Sequence, residues 1–359
     1  MQLAWKEIKH SKKKYFLIEI TLVLMIFMVI FLSGLANGLA RAVSAAIENT
    51  PATGFILSND AESLITLSHL DAEKYEEIQL SASDPVAALS IQRTNINLKG
   101  SGNKLDVTYF AIDPQEFLSP EVSKGEKLSS SGYSIVLDEA FIEEGIQLGD
   151  IVEDSASGIQ MTVVGFTRDA LYGHSFVGYL STDTYNNIKT ALNPNYEAFY
   201  NTAAIQGEGL GELDGLVFTD KTAIVDHIPG YSAEQTTIRM ILWVLVVISG
   251  AILGVFFYIL TIQKQKQFGV MKAIGMRMGE ITGMITFQIA LLALFGAFAG
   301  NLLAFSMAAF LPGSMPFYVK GSDALAVSAA FIGISIFCGL LSTRRIAKVD
   351  PLITIGGNE

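Results

Sequence analysis

Half of the 359 residues are hydrophobic and only 16% are charged, and the mean hydropathy of +0.42 is higher than a soluble domain carries. The single cysteine, Cys338, lies in an apolar run, which excludes a disulfide framework and a Cys-rich metal site. The net charge of −11 excludes a broadly basic nucleic-acid binder.

In chain order, residues 1–14 are basic, with Lys6, Lys9 and Lys12 to Lys14, and lead into an apolar run at 15–38. That run is too long for a secretory signal and lacks a small-x-small cleavage site, so it reads as a retained anchor. Three more runs, 238–262, 283–310 and 324–342, reach the roughly 20 residues a helix needs to cross the hydrocarbon core. All four are expected to be helices, because an isolated strand in lipid leaves its backbone polar groups unsatisfied. Between them lie a globular segment at 39–237, a basic loop at 263–282, a short loop at 311–323 and a tail at 343–359.

Twelve basic residues sit in the N-terminal segment, the 263–282 loop and the tail, whereas 39–238 holds 29 acidic and 10 basic residues. The positive-inside bias places both termini in the cytoplasm and the large domain outside the cell, in a multi-pass cell-membrane protein.

The large domain alternates strand-like and short helical runs and reads as α+β. Residues 134–137 are expected to form a strand, 139–144 a short helix, and 151–153 with 160–166 a hairpin around Ser157 and Gly158. Its histidines, His69, His174 and His227, lack ligand spacing, so no metal site is expected, and its acidic residues read as a solvated surface. No nucleophile, base and orienting group converge, so no catalytic residues are assigned.

Within the spans, Gly34 with Gly38, Gly250 with Gly254, and Gly296 with Gly300 form small-xxx-small pairs at which helix backbones can approach. Gly34 and Gly38 are the candidates for a dimer interface. Glu19 is the one carboxylate inside a span; its place one turn from the cytoplasmic end lets it snorkel towards Lys12 to Lys14. No G-x-x-x-x-G-K-[ST] phosphate cradle occurs in the sequence.

The most specific segment is QKQKQFGVMKAIGMRMGEI at 263–281. It is too short for a domain, but as an amphipathic element it could present Phe268, Met271 and Ile274 to a partner. Phe268, Gly269, Lys272, Ala273, Ile274 and Gly275 give it an aromatic-Gly step followed by Lys-Ala-Ile-Gly. In this and in the Arg-Arg and Asp-Pro of the tail RRIAKVDPLITIGG, the chain resembles the FtsX/MacB-like (type VII) ABC transporter permeases. The order of one span, a large outer domain and three spans agrees with that family.

The resemblance implies a MacB-like outer domain and a non-catalytic membrane subunit. Residues 1–14 would be an amphipathic elbow helix, and the six loop residues would couple to a cognate ATPase subunit in an assembly of two permeases and two ATPases. A narrower resemblance, carried by SGLANGLAR at 33–41 and IPGYSAEQ at 228–235, is to the haem-efflux permeases of Gram-positive bacteria. It implies haem as the transported substrate, with no intrinsic cofactor. Met25 and Met28 on one helix face are possible axial ligands, and Tyr231, Glu234 or Arg239 could meet iron or propionates. Export of an antimicrobial peptide or lipid, or FtsX-like control of an extracellular hydrolase, would use the same architecture.

Overall fold

The computed structural model describes residues 12–99, 103–130, 132–207, 214–311 and 315–346. The expected elbow helix (1–14) and tail (343–359) therefore lie largely outside the described residues. In chain order the first elements are α1 (Lys12–Glu48), β1 (Gly54–Ser58), α2 (Ala72–Ser81), β2 (Val86–Leu98), β3 (Lys104–Ile112), β4 (Lys124–Gly125), β5 (Ser134–Asp138) and α3 (Ala140–Glu143). Next come β6 (Ile151–Asp154), β7 (Gln160–Thr167), β8 (Leu171–Tyr172), β9 (Ser175–Ser181), α4 (Thr182–Leu192), β10 (Thr202–Ile205), β11 (Leu216–Asp220) and α5 (Lys221–His227). Four helices close the chain: α6 (Tyr231–Gln263), α7 (Gln265–Ala273), α8 (Met278–Phe310) and α9 (Gly321–Ile346). The chain divides into two compact units, Leu39–Gln235 and the remainder on either side of it.

The second unit is helical. Among the described residues, four helices, Tyr15–Glu48, Tyr231–Gln263, Met278–Phe310 and Gly321–Thr343, are long and apolar enough to cross a membrane. Each contains one of the expected apolar runs but continues past it, since nothing in sequences such as ANGLARAVSAAIE stops a helix where the hydrophobicity ends. The helices meet around Leu22, Ile26, Leu253, Phe257, Ile285 and Phe331. Glycines set how closely they approach: a Cβ at Gly296 would collide with Leu22, and one at Gly300 would lie 2.9 Å from Ile26. Between α8 and α9, Asn301 donates to the Ser328 hydroxyl at 2.7 Å.

In the α+β unit, eleven strands among the described residues form one sheet in the order β11-β1-β10-β2-β3-β9-β5-β7-β4, with β6 paired to both β2 and β7. That double pairing closes β2, β3, β9, β5, β7 and β6 into a ring, so none of the six leaves a free edge within it. The ring is possible because β2 is long. Residues Val86 to Leu89 pair with β10, and Ser90 to Asn97 pair with β3. Tyr109, Ile135, Leu137, Val163 and Phe166 fill its interior. Asp154, 1% exposed, caps the β6–β7 turn by accepting from the Ser157 N–H and hydroxyl, and it also accepts from Tyr109 and Thr94. A second core, around Phe55, Phe110 and Tyr179, includes Val43, Ala46 and Ile47 from the last turns of α1.

Candidate functional site

The basic segment between the second and third spans folds as a short helix between two breaks. Lys264 interrupts α6, and its ammonium group is held by Gln288 Oε1 at 2.8 Å and by the Tyr15 hydroxyl at 2.5 Å. Helix α7 follows and ends at Gly275, whose φ of +98° lies in the left-handed region that glycine enters at least cost. The chain then enters α8, where the Glu280 carboxylate accepts from the Arg277 N–H at 3.0 Å.

This geometry corrects the expected presenting face. Phe268 is only 3% exposed, packed in the bundle core, and Met271 packs beside it. Three residues apart on α7, they occupy its inward face. Ile274 lies just past the last turn of α7 and is 76% exposed, with Val270 also exposed. Of the six motif residues, Phe268 and Gly269 are buried, Lys272 is half-buried, and Ala273, Ile274 and Gly275 face outward. Val270 was not among the residues expected on the presenting face, because which side of α7 turns inward is set by its packing on the bundle and not by a local pattern.

The substrate candidates fall in both units. In the helical unit, Met25 packs against the core, whereas Met28 is 55% exposed; the two methionines do not share one environment. Arg239 is exposed. In the α+β unit, Tyr231 packs against the cluster around Phe55 and Phe110. Glu234 Oε2 lies 3.6 Å from His174 Nε2. His174 is held in the left-handed region at φ 62°, its N–H donating to the Ala42 carbonyl and that of Gly173 to Val43. Only folding brings it to Glu234. Among the described residues, no three His, Cys, Asp or Glu side chains are placed to hold a metal ion.

Gly34 and Gly38 face the chain's own 316–319 segment. A Cβ at Gly34 would lie 2.8 Å from the Phe317 ring and one at Gly38 would collide with the Pro316 backbone, while Tyr318 donates its N–H to the Gly34 carbonyl at 2.9 Å. Their small size thus serves a contact within the chain. The Glu19 carboxylate does not reach solvent as snorkelling would require: both oxygens are shielded and, among the described residues, have no hydrogen-bond partner. They face Gly296, because the side chain leaves α1 on the same face as the buried Leu22.

Residues 239–351 match the FtsX-like permease C-terminal family. Together with the four membrane helices, this makes the chain an ABC transporter permease of the FtsX type, a multi-pass membrane protein. Over its full length it is homologous to the putative hemin transport system permease proteins HrtB of Staphylococcus haemolyticus (strain JCSC1435), at 29% identity, and Staphylococcus epidermidis (strain ATCC 12228 / FDA PCI 1200), at 28%; both alignments cover 100% of each chain. An uncharacterized ABC transporter permease of Mycobacterium tuberculosis (strain ATCC 25618 / H37Rv) is 24% identical over 99% of each chain. Among solved structures, the periplasmic region of MacB from Actinobacillus actinomycetemcomitans is similar at 12% identity and a TM-score of 0.37, covering 50% of this chain and 95% of that one. The extracellular domain of the noncanonic ABC-type transporter YknZ from Gram-positive bacteria is similar at 15% identity and a TM-score of 0.33, covering 44% and 83%.

Proposed function

We propose that this chain is the permease of a haem-efflux ABC exporter and draws its energy from ATP hydrolysed by a separate ATPase subunit. The observation that carries the reading is end-to-end homology to permeases named for hemin transport. A shared transmembrane half alone would have fitted any cargo.

In this reading the chain is the non-catalytic subunit and works as a homodimer with two ATPases, its termini and the 263–282 loop in the cytoplasm. The ATPase seats on the outward side of α7, where Val270, Ala273 and Ile274 form a small apolar patch beside Lys272. Phe268 anchors that patch to the bundle, so a push on it is borne by packed helices. Met28, which is exposed, and the pair Glu234 with His174 supply thioether, carboxylate and imidazole, which suit iron or its ring substituents. Met25, Tyr231 and Arg239 remain candidate contacts of the same substrate.

The test is growth of a deletion strain in graded haem, with the gene restored intact or as Glu234→Ala or Ile274→Asp. The intact gene should restore tolerance, Glu234→Ala should restore it only partly, and Ile274→Asp should fail to restore it and should no longer co-purify the ATPase. Unchanged haem tolerance on deletion would remove haem as the substrate. Full activity with Ile274→Asp would remove the α7 patch as the ATPase seat.

A further inference from the structure

Helix α7 is nine residues long and carries Gly269 in its middle, so it is too short to hold its shape and place without anchors. Its start has no side-chain cap and its first turn no acidic residue. Two anchors lie four residues apart and therefore on one face: the Phe268 ring, packed in the bundle core, and the Lys264 ammonium group. The Phe268 N–H donates to the Lys264 carbonyl at 3.0 Å, so both belong to the same turn.

Lys264 reaches two further spans. Its Nζ donates to Gln288 Oε1 on α8 at 2.8 Å and to the Tyr15 hydroxyl on α1 at 2.5 Å, and it lies 5.3 Å from the centre of the Tyr15 ring. Tyr15 and Gln288 are both buried, and the Tyr15 hydroxyl donates to Gln288 Oε1 at 3.4 Å, which closes a triangle across α1, α8 and the break between α6 and α7. The cavity beside this triangle, walled by Leu260, Ile285 and Leu292, has a volume of about 10 Å³, room for no more than a water. The cluster therefore joins helices and does not receive cargo.

Any displacement of α7 acts first on these bonds. An ammonium group, with three equivalent donors, can turn and keep its acceptors, but it cannot be drawn away by an ångström and keep them. Lys264 itself, at φ −95° and ψ 0°, leaves the helical region, so α6 and α7 are not one rod. We propose that Lys264 is the positioning residue of α7: it fastens that helix to α1 and α8, so that a push on α7 is passed to two spans and not absorbed at the break. The proposal rests on the reading of α7 as the ATPase seat.

The test compares the parent with Lys264→Met, which keeps the side-chain stem and removes the donor, in the full-length protein together with the ATPase that co-purifies with it. ATP hydrolysis should stay within about twofold of the parent, while haem tolerance of the complemented strain falls about tenfold or more. Tyr15→Phe, which removes one hydroxyl, should shift the same ratio in the same direction by less. Gln288→Glu, which keeps acceptor oxygens for the ammonium group, should couple as the parent does. Parental tolerance in Lys264→Met, or a parallel fall of hydrolysis and tolerance in both Lys264→Met and Tyr15→Phe, would overturn the proposal. Hydrogen exchange of the permease alone decides the joint without haem or nucleotide: amides of 266–273 should exchange about tenfold faster in Lys264→Met and at the parental rate in Gln288→Glu. Unchanged exchange across α7 in Lys264→Met would equally overturn it. An intact gene that restores no haem tolerance would instead remove haem as the cargo, and the exchange result would still decide whether Lys264 holds α7.

Discussion

The two units make their closest internal contacts by different means. In the α+β unit, Asp154 is almost wholly buried yet accepts from a tyrosine, a threonine, a serine hydroxyl and a backbone N–H. Asn201, also buried, accepts from the Ile91 N–H and donates to the Ser68 carbonyl. The helical unit also pairs Gln288 with Lys264 and Asn301 with Ser328, but the Glu19 carboxylate has no hydrogen-bond partner among the described residues, and the closest contacts are made by removing side chains, as at Gly296 and Gly300. A domain in water gains by burying apolar surface and must then satisfy whatever polar groups go with it. Helices in lipid gain nothing from mere burial, so they depend on backbone approach and dispersion. The same change, the addition or loss of a few atoms, should therefore act by different mechanisms in the two units.

The largest effect is expected where the polar network is densest. Asp154→Ala leaves the Tyr109 hydroxyl inside the ring of strands without its acceptor and uncaps the β6–β7 turn. The loss should be about 3 kcal/mol or more, seen as a lowered melting temperature of the full-length protein by circular dichroism. Asp154→Asn, which keeps an acceptor oxygen, should recover part of it. An Asp154→Ala variant as stable as the parent would mean that the network carries no net weight.

In the helical unit the corresponding change adds atoms. Gly296→Val places a branched side chain against Leu22 and should cost about 1–3 kcal/mol, read as earlier loss of the monodisperse peak when heated samples are run by size-exclusion chromatography. Leu22→Ala combined with Gly296→Val should restore part of that loss, because the added and removed volumes face each other. No recovery in the double variant would place the cost elsewhere.

The four helices were legible because apolar runs of span length have one solution in lipid, and the strands at 134–137, 151–153 and 160–166 were legible from period-two alternation and the Ser157–Gly158 turn. The ring closure was not, because it depends on the long-range pairing of β6 with the far end of β2, for which no local pattern exists. The site divides in the same way. The loop motif and the break at Gly275 are local and readable, whereas the inward turn of Phe268 depends on the bundle beneath it. The Glu234 and His174 pair joins positions sixty residues apart, which no local pattern links.

The smallest effect should come from the surface of the α+β unit, where water does most of the solvation. Glu139 accepts from the Ser123 hydroxyl at 2.6 Å and from Arg168 at 3.1 Å, with Lys124 at 3.7 Å. The Ser123 hydrogen bond and then Arg168 hold its carboxyl below the usual range. A folded-state pKa below the unfolded one means a contribution that is complete at neutral pH and lost as pH falls through the folded value. Glu139→Gln should therefore cost only about 0.2–1 kcal/mol at pH 7, since the partners are solvent-exposed. The gap between parent and variant should close below about pH 4 and shrink in high salt. A gap that persisted at acid pH would assign the contribution to hydrogen bonds that the protonated carboxyl keeps and the variant's amide does not, and not to charge.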